Sequence, residues 1–484
     1  MSELLHREIS QVSARVHWIL LVNTLLGSFL SGAATRIFYV AMPTVAHSLQ
    51  TDILGVSWAI LVYQLASIGL SLIFGKIGDL HGHRIILGGG YIVMMIGSLL
   101  CGLSANIGQL IGFRFLQGIG AAMTQSVGRA VAAQAMPEEK GGRAQGFMTT
   151  AFHSGVLLGP SLGGLIIDYV GWRWTFFLLV PLSAVGAILS FLNMERPQAR
   201  SKHQAVDYLG SLLLVTSASS LLILLDRQSM HLMGLQLKSL ALFFAGSFLG
   251  FLIWESLTPS PMVNLSLFKI RMFAFSAISL LVVAVNYSVC NFILPFYLQG
   301  ILQLSPSFIG TLFMMAPIFT VTLGPISGYI CDKVGPRLPA TTGASLLAAS
   351  LFLGTFLKTD SHWILPALIF GLLGLANGFF NPANSVGMIN SVPKEHMGFA
   401  SGTQNVMFSV GNIFGITLAS FLMTSFFQKY TGIFGVGPDP AYPDAFVVAI
   451  NYTFLVGAGI GLVAMMTSAM RGVSPDPKEG TEVK

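Results

Sequence analysis

Apolar stretches about 20 residues long, the length an α-helix needs to cross the hydrocarbon core of a bilayer, recur from one end of this sequence to the other with short polar links between them. Inside a bilayer every backbone amide and carbonyl must be paired within the protein, so such runs fold as helices that span and pack on one another. Charged residues make up only 9% of the 484 positions, against 54% hydrophobic ones, which leaves no segment from which to build a soluble domain. The formal net charge of +6 would suggest a nucleic-acid partner in a soluble protein. Here the basic residues sit in the links and act as topology signals, so no nucleic-acid function is expected. An enzyme is not expected either: the sequence has no nucleotide-binding loop, metal-ligand cluster or nucleophile constellation, and no cofactor is implied. Cys101, Cys290 and Cys331 lie far apart without metal spacing and read as small buried side chains.

The apolar runs place spans at Val16 to Met42, Gly55 to Gly75, Ile85 to Ser104, Ile107 to Met136, Ala144 to Ile167 and Trp174 to Asn193. The polar link NMERPQARSKHQ follows, then Tyr208 to Leu225 and Ser239 to Trp254. The last six run from Met272 to Leu294, Phe308 to Ile330, Leu338 to Leu357, Ile364 to Ile389, Phe399 to Phe427 and Ala445 to Met470. The organisation expected is therefore an all-α membrane protein of fourteen helices: a six-helix half over 1–195, a linker with two inserted helices over 196–258, and a second six-helix half with a short tail over 259–484. The first run is too long for a signal peptide and lacks a small-residue cleavage site, so it is expected to stay as a span. Seventeen of the 25 Lys and Arg residues fall on one side of this arrangement and five on the other. The positive-inside rule then makes both termini cytoplasmic and the location a cell (inner) membrane.

The chain also repeats itself. GKIGDLHGHR, after the second span, holds Gly75, Asp79, Gly82 and Arg84; GYICDKVGPR, near the end of the tenth, holds Gly328, Asp332, Gly335 and Arg337 at the same spacing. Duplication of this kind is typical of secondary transporters whose halves move about a central site. The aspartates and arginines in these loops can form ion pairs or meet a helix terminus, contacts whose exchange would bias one conformational state over another; a plain interfacial pair that fixes topology is the alternative. In LIGFRFLQGIGAA an arginine precedes a glutamine-glycine pair, Arg114, Gln117 and Gly118. In GVLLGPSLGG, Gly155, Gly159, Pro160, Gly163 and Gly164 combine small residues that permit close helix approach with a proline that removes a backbone hydrogen bond.

With these loops and helices the chain resembles the major facilitator superfamily, and within it the fourteen-helix drug/proton antiporter family, over essentially its whole length. The two repeated loops match that family's cytoplasmic signature and its echo, and GVLLGPSLGG matches its antiporter motif. Asp207 and Gly210, the run PMVNLSLF and LPFYLQ ending at Gln299 are softer matches. The resemblance implies the major facilitator fold, alternating access, and proton-coupled efflux of drugs or other small molecules, with protons as coupling ion. A periplasmic adaptor is compatible with it and nothing in the chain requires one.

One feature departs from that pattern. The family ordinarily has an aspartate at the position aligned with Ala34, and this chain instead has Arg36 two residues on. All 19 Asp and Glu residues can be placed outside the cores of the spans. Arg36 and Arg114 fall at similar depth, each about 10 Å below the outer boundary at roughly 1.5 Å per residue. Two intramembrane guanidiniums without an acid call for solvation or pairing, and their planar forks suit carboxylate, sulfonate or phosphate groups. An exporter or exchanger of organic anions is thus one reading. An arginine bonded to backbone carbonyls or Asn23, or reaching the interface along its own stem, is the other. Arg129 reads as interfacial. His153 falls well inside a span, so it is either the proton site or a neutral bridge between helices. Gln64, Asn286, Asn291, Gln299, Asn377, Asn381, Asn405 and Asn412 either line the cavity or tie helices together. A receptor or scramblase on the same fold, without transport, is a further alternative.

Overall fold

The structure is a computed structural model that describes residues 2–134, 141–193, 208–225, 236–258, 265–393, 397–432 and 437–472. Among these residues all regular structure is helical: α1 (Ser2–Ser48), α2 (Ile53–Gly69), α3 (Ser71–His81), α4 (His83–Leu103), α5 (Ile107–Gln134), α6 (Gly141–Tyr169), α7 (Arg173–Phe177), α8 (Leu179–Asn193), α9 (Tyr208–Leu225), α10 (Leu237–Leu257), α11 (Arg271–Phe296), α12 (Pro306–Val334), α13 (Arg337–Gly354), α14 (Ile364–Ile389), α15 (Met397–Thr431) and α16 (Pro443–Ala469). Ten helices among the described residues are long and apolar enough to cross a membrane, which makes this a multi-pass membrane protein.

Several bounds differ from those expected by a few residues, and three differences have a local reason. The first helix begins at Ser2 rather than Val16, because the polar stretch before the apolar run carries no helix breaker. The second span is divided at Leu70, after Gly69, where the backbone stays near helical at φ −94° and ψ −10°; a glycine at this point lowers the cost of bending. The sixth is divided at Leu178, four residues after Trp174, because Pro181 has no amide hydrogen to offer the Phe177 carbonyl.

The chain forms two compact units. The first comprises Met1–Thr51, Trp58–Val215 and Ser305–Gly310, the second Asp52–Ser57, Thr216–Leu304 and Thr311–Lys484. In the first, a core of Leu30, Ala34, Tyr63, Leu87, Tyr91, Met94, Ala121 and Leu179 is drawn tight by glycines. A side chain on Gly97 would start 2.7 Å from the Gln117 amide nitrogen, and one on Gly120 2.5 Å from that of Met94, so α4 and α5 touch backbone to backbone. Hydrocarbon tails are as apolar as leucine, so this close packing and interhelical hydrogen bonds carry the association. Asn23 donates to Ser190 Oγ at 2.8 Å, and Tyr91 donates to the Asn23 carbonyl. Asn23 therefore joins α1 to α8.

In the second unit α11 is buried on nearly every side. Side chains on Gly411 and Gly415 of α15 would start 2.5 and 2.3 Å from the Leu281 and Val285 carbonyls. Asn286 reaches into α16: the two ends of its side-chain amide lie 3.1 Å from Gly457 O and 3.0 Å from Gly461 N, and with the amide turned to put nitrogen toward the carbonyl both are hydrogen bonds. Ser288 donates to Asn412 Oδ1 at 2.5 Å, Asn291 donates to the Tyr287 carbonyl at 2.6 Å, and Asn381 donates to Asn377 at 3.4 Å.

Candidate functional site

Arg114 and Gln117, three apart on α5, share one helix face. The adjoining Gly118 lets that face reach α2, since a side chain there would start 2.6 Å from the Tyr63 carbonyl. Arg114 is 0% exposed. Its Nε donates to Ala59 O at 3.1 Å, its Nη1 to Gln117 Oε1 at 2.8 Å and to Ala34 O at 3.4 Å. Gln117 in turn donates to Ser98 Oγ at 2.8 Å. The guanidinium carbon stands 4.4 Å from the Tyr63 ring centre, 4.6 Å from that of Phe38 and 5.8 Å from that of Phe176. Aromatic faces attract a cation by about 0.5–2 kcal/mol each, more where water is excluded. Rings and carbonyls thus take the place of a carboxylate among the described contacts, and one donor, Nη2, has no partner.

Arg36 sits two residues beyond the Ala34 carbonyl that Arg114 engages. It is half-buried, with its guanidinium carbon 5.3 Å from the Tyr39 ring centre. The two arginines are therefore neighbours along α1 in different surroundings: Arg114 is sealed in the aromatic cage and Arg36 is not. His153 lies on the exposed side of α6, its ring edge-on to Phe152 at 5.7 Å.

The glycine-rich stretch of α6 carries two stripes. Gly155, Gly159 and Gly163 face α1: added side chains would start 2.2 Å from Phe29 O, 3.2 Å from Ala33 O and 2.3 Å from Ile37 Cγ1. Gly32 of α1 answers, with its own Cβ position 2.3 Å from Phe152 O. One residue round the helix, Gly164 and Pro160 meet the segment Ser305–Gly310 of the same unit. A side chain on Gly164 would start 2.2 Å from Pro306 O, and one on Gly310 2.3 Å from Pro160 O. Asp168 Oδ2 accepts from Ser307 N at 2.8 Å, a carboxylate at the N-terminal turn of α12 where amide donors are free.

In the repeated loops, Gly82 and Gly335 have φ of +97° and +79°, the region open to glycine. Gly75 has its nearest neighbour, Ser126 Cβ, at 3.7 Å from an added carbon, and Gly328 has none within 4 Å. Arg84 Nη2 donates to Phe191 O at 2.5 Å and lies 5.9 Å from that residue's ring centre. Arg337 is exposed at the first position of α13. The side chains of Asp79, Arg129 and Asp332, and Asp207 as a whole, lie outside the described residues. Strain and space separate the glycines of one loop: Gly335→Ala is expected to cost about 1–2 kcal/mol, whereas Gly328→Ala leaves thermal stability in detergent within about 0.5 kcal/mol of the parent.

A family model for the Major Facilitator Superfamily matches residues 24–286 and 276–484. The chain is 26% identical over 455 residues to the riboflavin transporter RibZ of Clostridioides difficile, covering 93% of this chain and 96% of that protein. It is 27% identical over 417 residues to the multidrug transporter protein MdtP of Bacillus subtilis, covering 84% of this chain and 75% of that one. Among solved structures it resembles a bacterial homolog of the human lysosomal transporter Spinster, with a TM-score of 0.66 at 14% identity, covering 95% of this chain and 99% of that one. A POT family transporter in complex with 5-aminolevulinic acid gives 0.67 at 16% identity, covering 94% and 96%.

Proposed function

This chain belongs to the Major Facilitator Superfamily, and we propose that it exports small organic molecules across a cell membrane by alternating access, driven by the proton gradient, with both termini in the cytoplasm. The observation that carries the reading is the double stripe on α6. Gly155, Gly159 and Gly163 bring it against α1, and Pro160 and Gly164 seat the start of α12. A helix packed through backbone on adjacent faces turns with its neighbours rather than bending between them, as a moving element requires. The names of RibZ and MdtP support a small organic cargo. His153, exposed on α6, is the proposed proton carrier.

Arg36 favours a second reading, in which cargo or exchanged ion is an organic anion. It is half-buried beside Tyr39, on a helix without an acid in its core. Proteoliposomes under an imposed pH gradient, with lumenal pH followed during addition of lipophilic cations and then organic anions, test both. Cation-driven proton movement that survives Arg36→Ala and is lost in His153→Gln is the result expected of multidrug efflux. Anion-driven movement lost in Arg36→Ala selects the second reading. No movement with either class of cargo, in protein shown to be folded, returns the chain to a receptor or scramblase.

A further inference from the structure

Between α9 and α10, within the second unit, lies a cavity of about 480 Å³, in the size range of a ligand pocket. Ser219, Ser220 and Ile223 of α9 form one wall, and Ser239, Leu240 and Phe243 of α10 the other. The short hydroxyl side chains leave room that leucines would fill. They also turn polar groups to their own helices: Ser220 donates to Ser217 O at 3.0 Å and Ser239 to Gln236 O at 2.8 Å. The surface facing the cavity is accordingly almost all carbon. Ile223 lies two residues before the end of α9 and Thr216, also on the wall, nine before it, while Ser239 belongs to the first turn of α10. At about 1.5 Å per residue the cavity starts near the helix ends and reaches roughly 13 Å inward, close to the depth of one leaflet of a hydrocarbon core about 30 Å thick. It is open to the side, and Leu242 and Phe243 of α10 are 73% and 58% exposed there. The mouth differs from the walls in charge. Gln236 gives the first amides of α10 no side-chain cap, so the positive end of that helix stands open, and Lys238 is exposed in the same turn.

Water does not suit such a space, because a buried water needs about two to four polar partners. Left empty, the cavity forfeits the dispersion contacts of its lining. A peptide segment would bring amides and carbonyls that carbon walls cannot pair. A hydrocarbon chain makes neither demand, and a phosphate at its end would meet the cation and the helix dipole together. We propose that the cavity between α9 and α10 holds one acyl chain of an anionic phospholipid, whose phosphate rests on the first turn of α10 beside Lys238. The lipid fills the seam between these two helices and takes no part in binding cargo or moving protons, so the site stands whether or not the chain transports.

The test uses the full-length protein in phosphatidylcholine nanodiscs doped with a phosphatidylglycerol that carries a diazirine midway along one chain; after illumination, labelled peptides are mapped by mass spectrometry. Label is expected on residues 216–223 and 239–243, and unlabelled phosphatidylglycerol is expected to displace it at least tenfold more effectively than added phosphatidylcholine. Ser219→Phe and Ser239→Leu place carbon in the cavity, and each is expected to cut labelling there at least tenfold. Lys238→Gln is expected to keep the label and to lose the preference for phosphatidylglycerol. Ile253→Phe, on an exposed position toward the other end of α10, should leave both unchanged. Label spread evenly along α10 as far as Leu257 overturns the proposal, as does label that survives both Ser219→Phe and Ser239→Leu in folded protein. Equal displacement by the two lipids in the parent protein overturns it too, as does cross-linking of α9 or α10 to a second copy of the chain in place of lipid.

Discussion

Gly155→Leu is expected to abolish transport and to lower stability by about 3 kcal/mol or more, at the upper end of the usual cost of overpacking. The obstacle is main chain: a side chain at 155 would start 2.2 Å from the Phe29 carbonyl and 2.8 Å from the Ala33 amide nitrogen, so relief requires α1 and α6 to separate. Separation would in turn spoil the reciprocal seat of Gly32 on the Phe152 carbonyl. Gly112→Leu on α5, where nothing lies within 4 Å of an added carbon, is the matched control and should leave transport at the parental rate. Unfolding temperature in detergent and uptake into vesicles measure the two effects separately. A fully active Gly155→Leu protein would mean that the close α1–α6 contact is dispensable.

Arg114→Leu is the second large effect. It removes the donor to Ala59 O and Ala34 O and strands Gln117 Oε1 in a site that water does not reach. The Ala59 and Ala34 carbonyls keep their intrahelical amide donors, so the one acceptor left unmade, Gln117 Oε1, sets an expected loss of about 1–3 kcal/mol, together with at least a tenfold drop in transport. Arg114→Lys keeps the charge and is not expected to rescue, since a single ammonium cannot span carbonyls on α1 and α2 while holding Gln117. Arg36→Ala, half-buried beside Tyr39, should change stability by less than about 1 kcal/mol. If thermal denaturation ranks Arg36→Ala as the more damaging, the division of roles between the two arginines is reversed.

The helices were legible in the sequence because span length is set by the bilayer and breakers sit where the chain turns. Small irregularities were not: the divisions at Leu70 and Leu178 depend on one glycine and one missing amide hydrogen, signals too weak to stand out in an apolar run. The glycine stretch 155–164 was readable as a packing element, but its spacing could not tell that 155, 159 and 163 face one neighbour and 160 and 164 another. The place of Arg114 well inside its span was readable from the sequence. Its surroundings were not, because Phe38, Tyr63 and Phe176 come from three helices and share no local pattern with it. Arg471 looks in sequence like any other charge after a span; only its burial against Phe380 marks it out.

The cage around Arg114 also bears on how the chain is made. Its own helix, α5, is not among the ten that are long and apolar enough to cross a membrane, so it is poorly equipped to enter a bilayer alone. Ala34, Phe38, Ala59, Tyr63 and Ser98 all precede it in the sequence, and Phe176 alone among its cage follows. A ribosome delivering this protein to the insertion machinery thus produces the cradle before the charge. Biogenesis in the reverse order, as in a circular permutant that starts at α5, would present an arginine to lipid with nothing there to receive it.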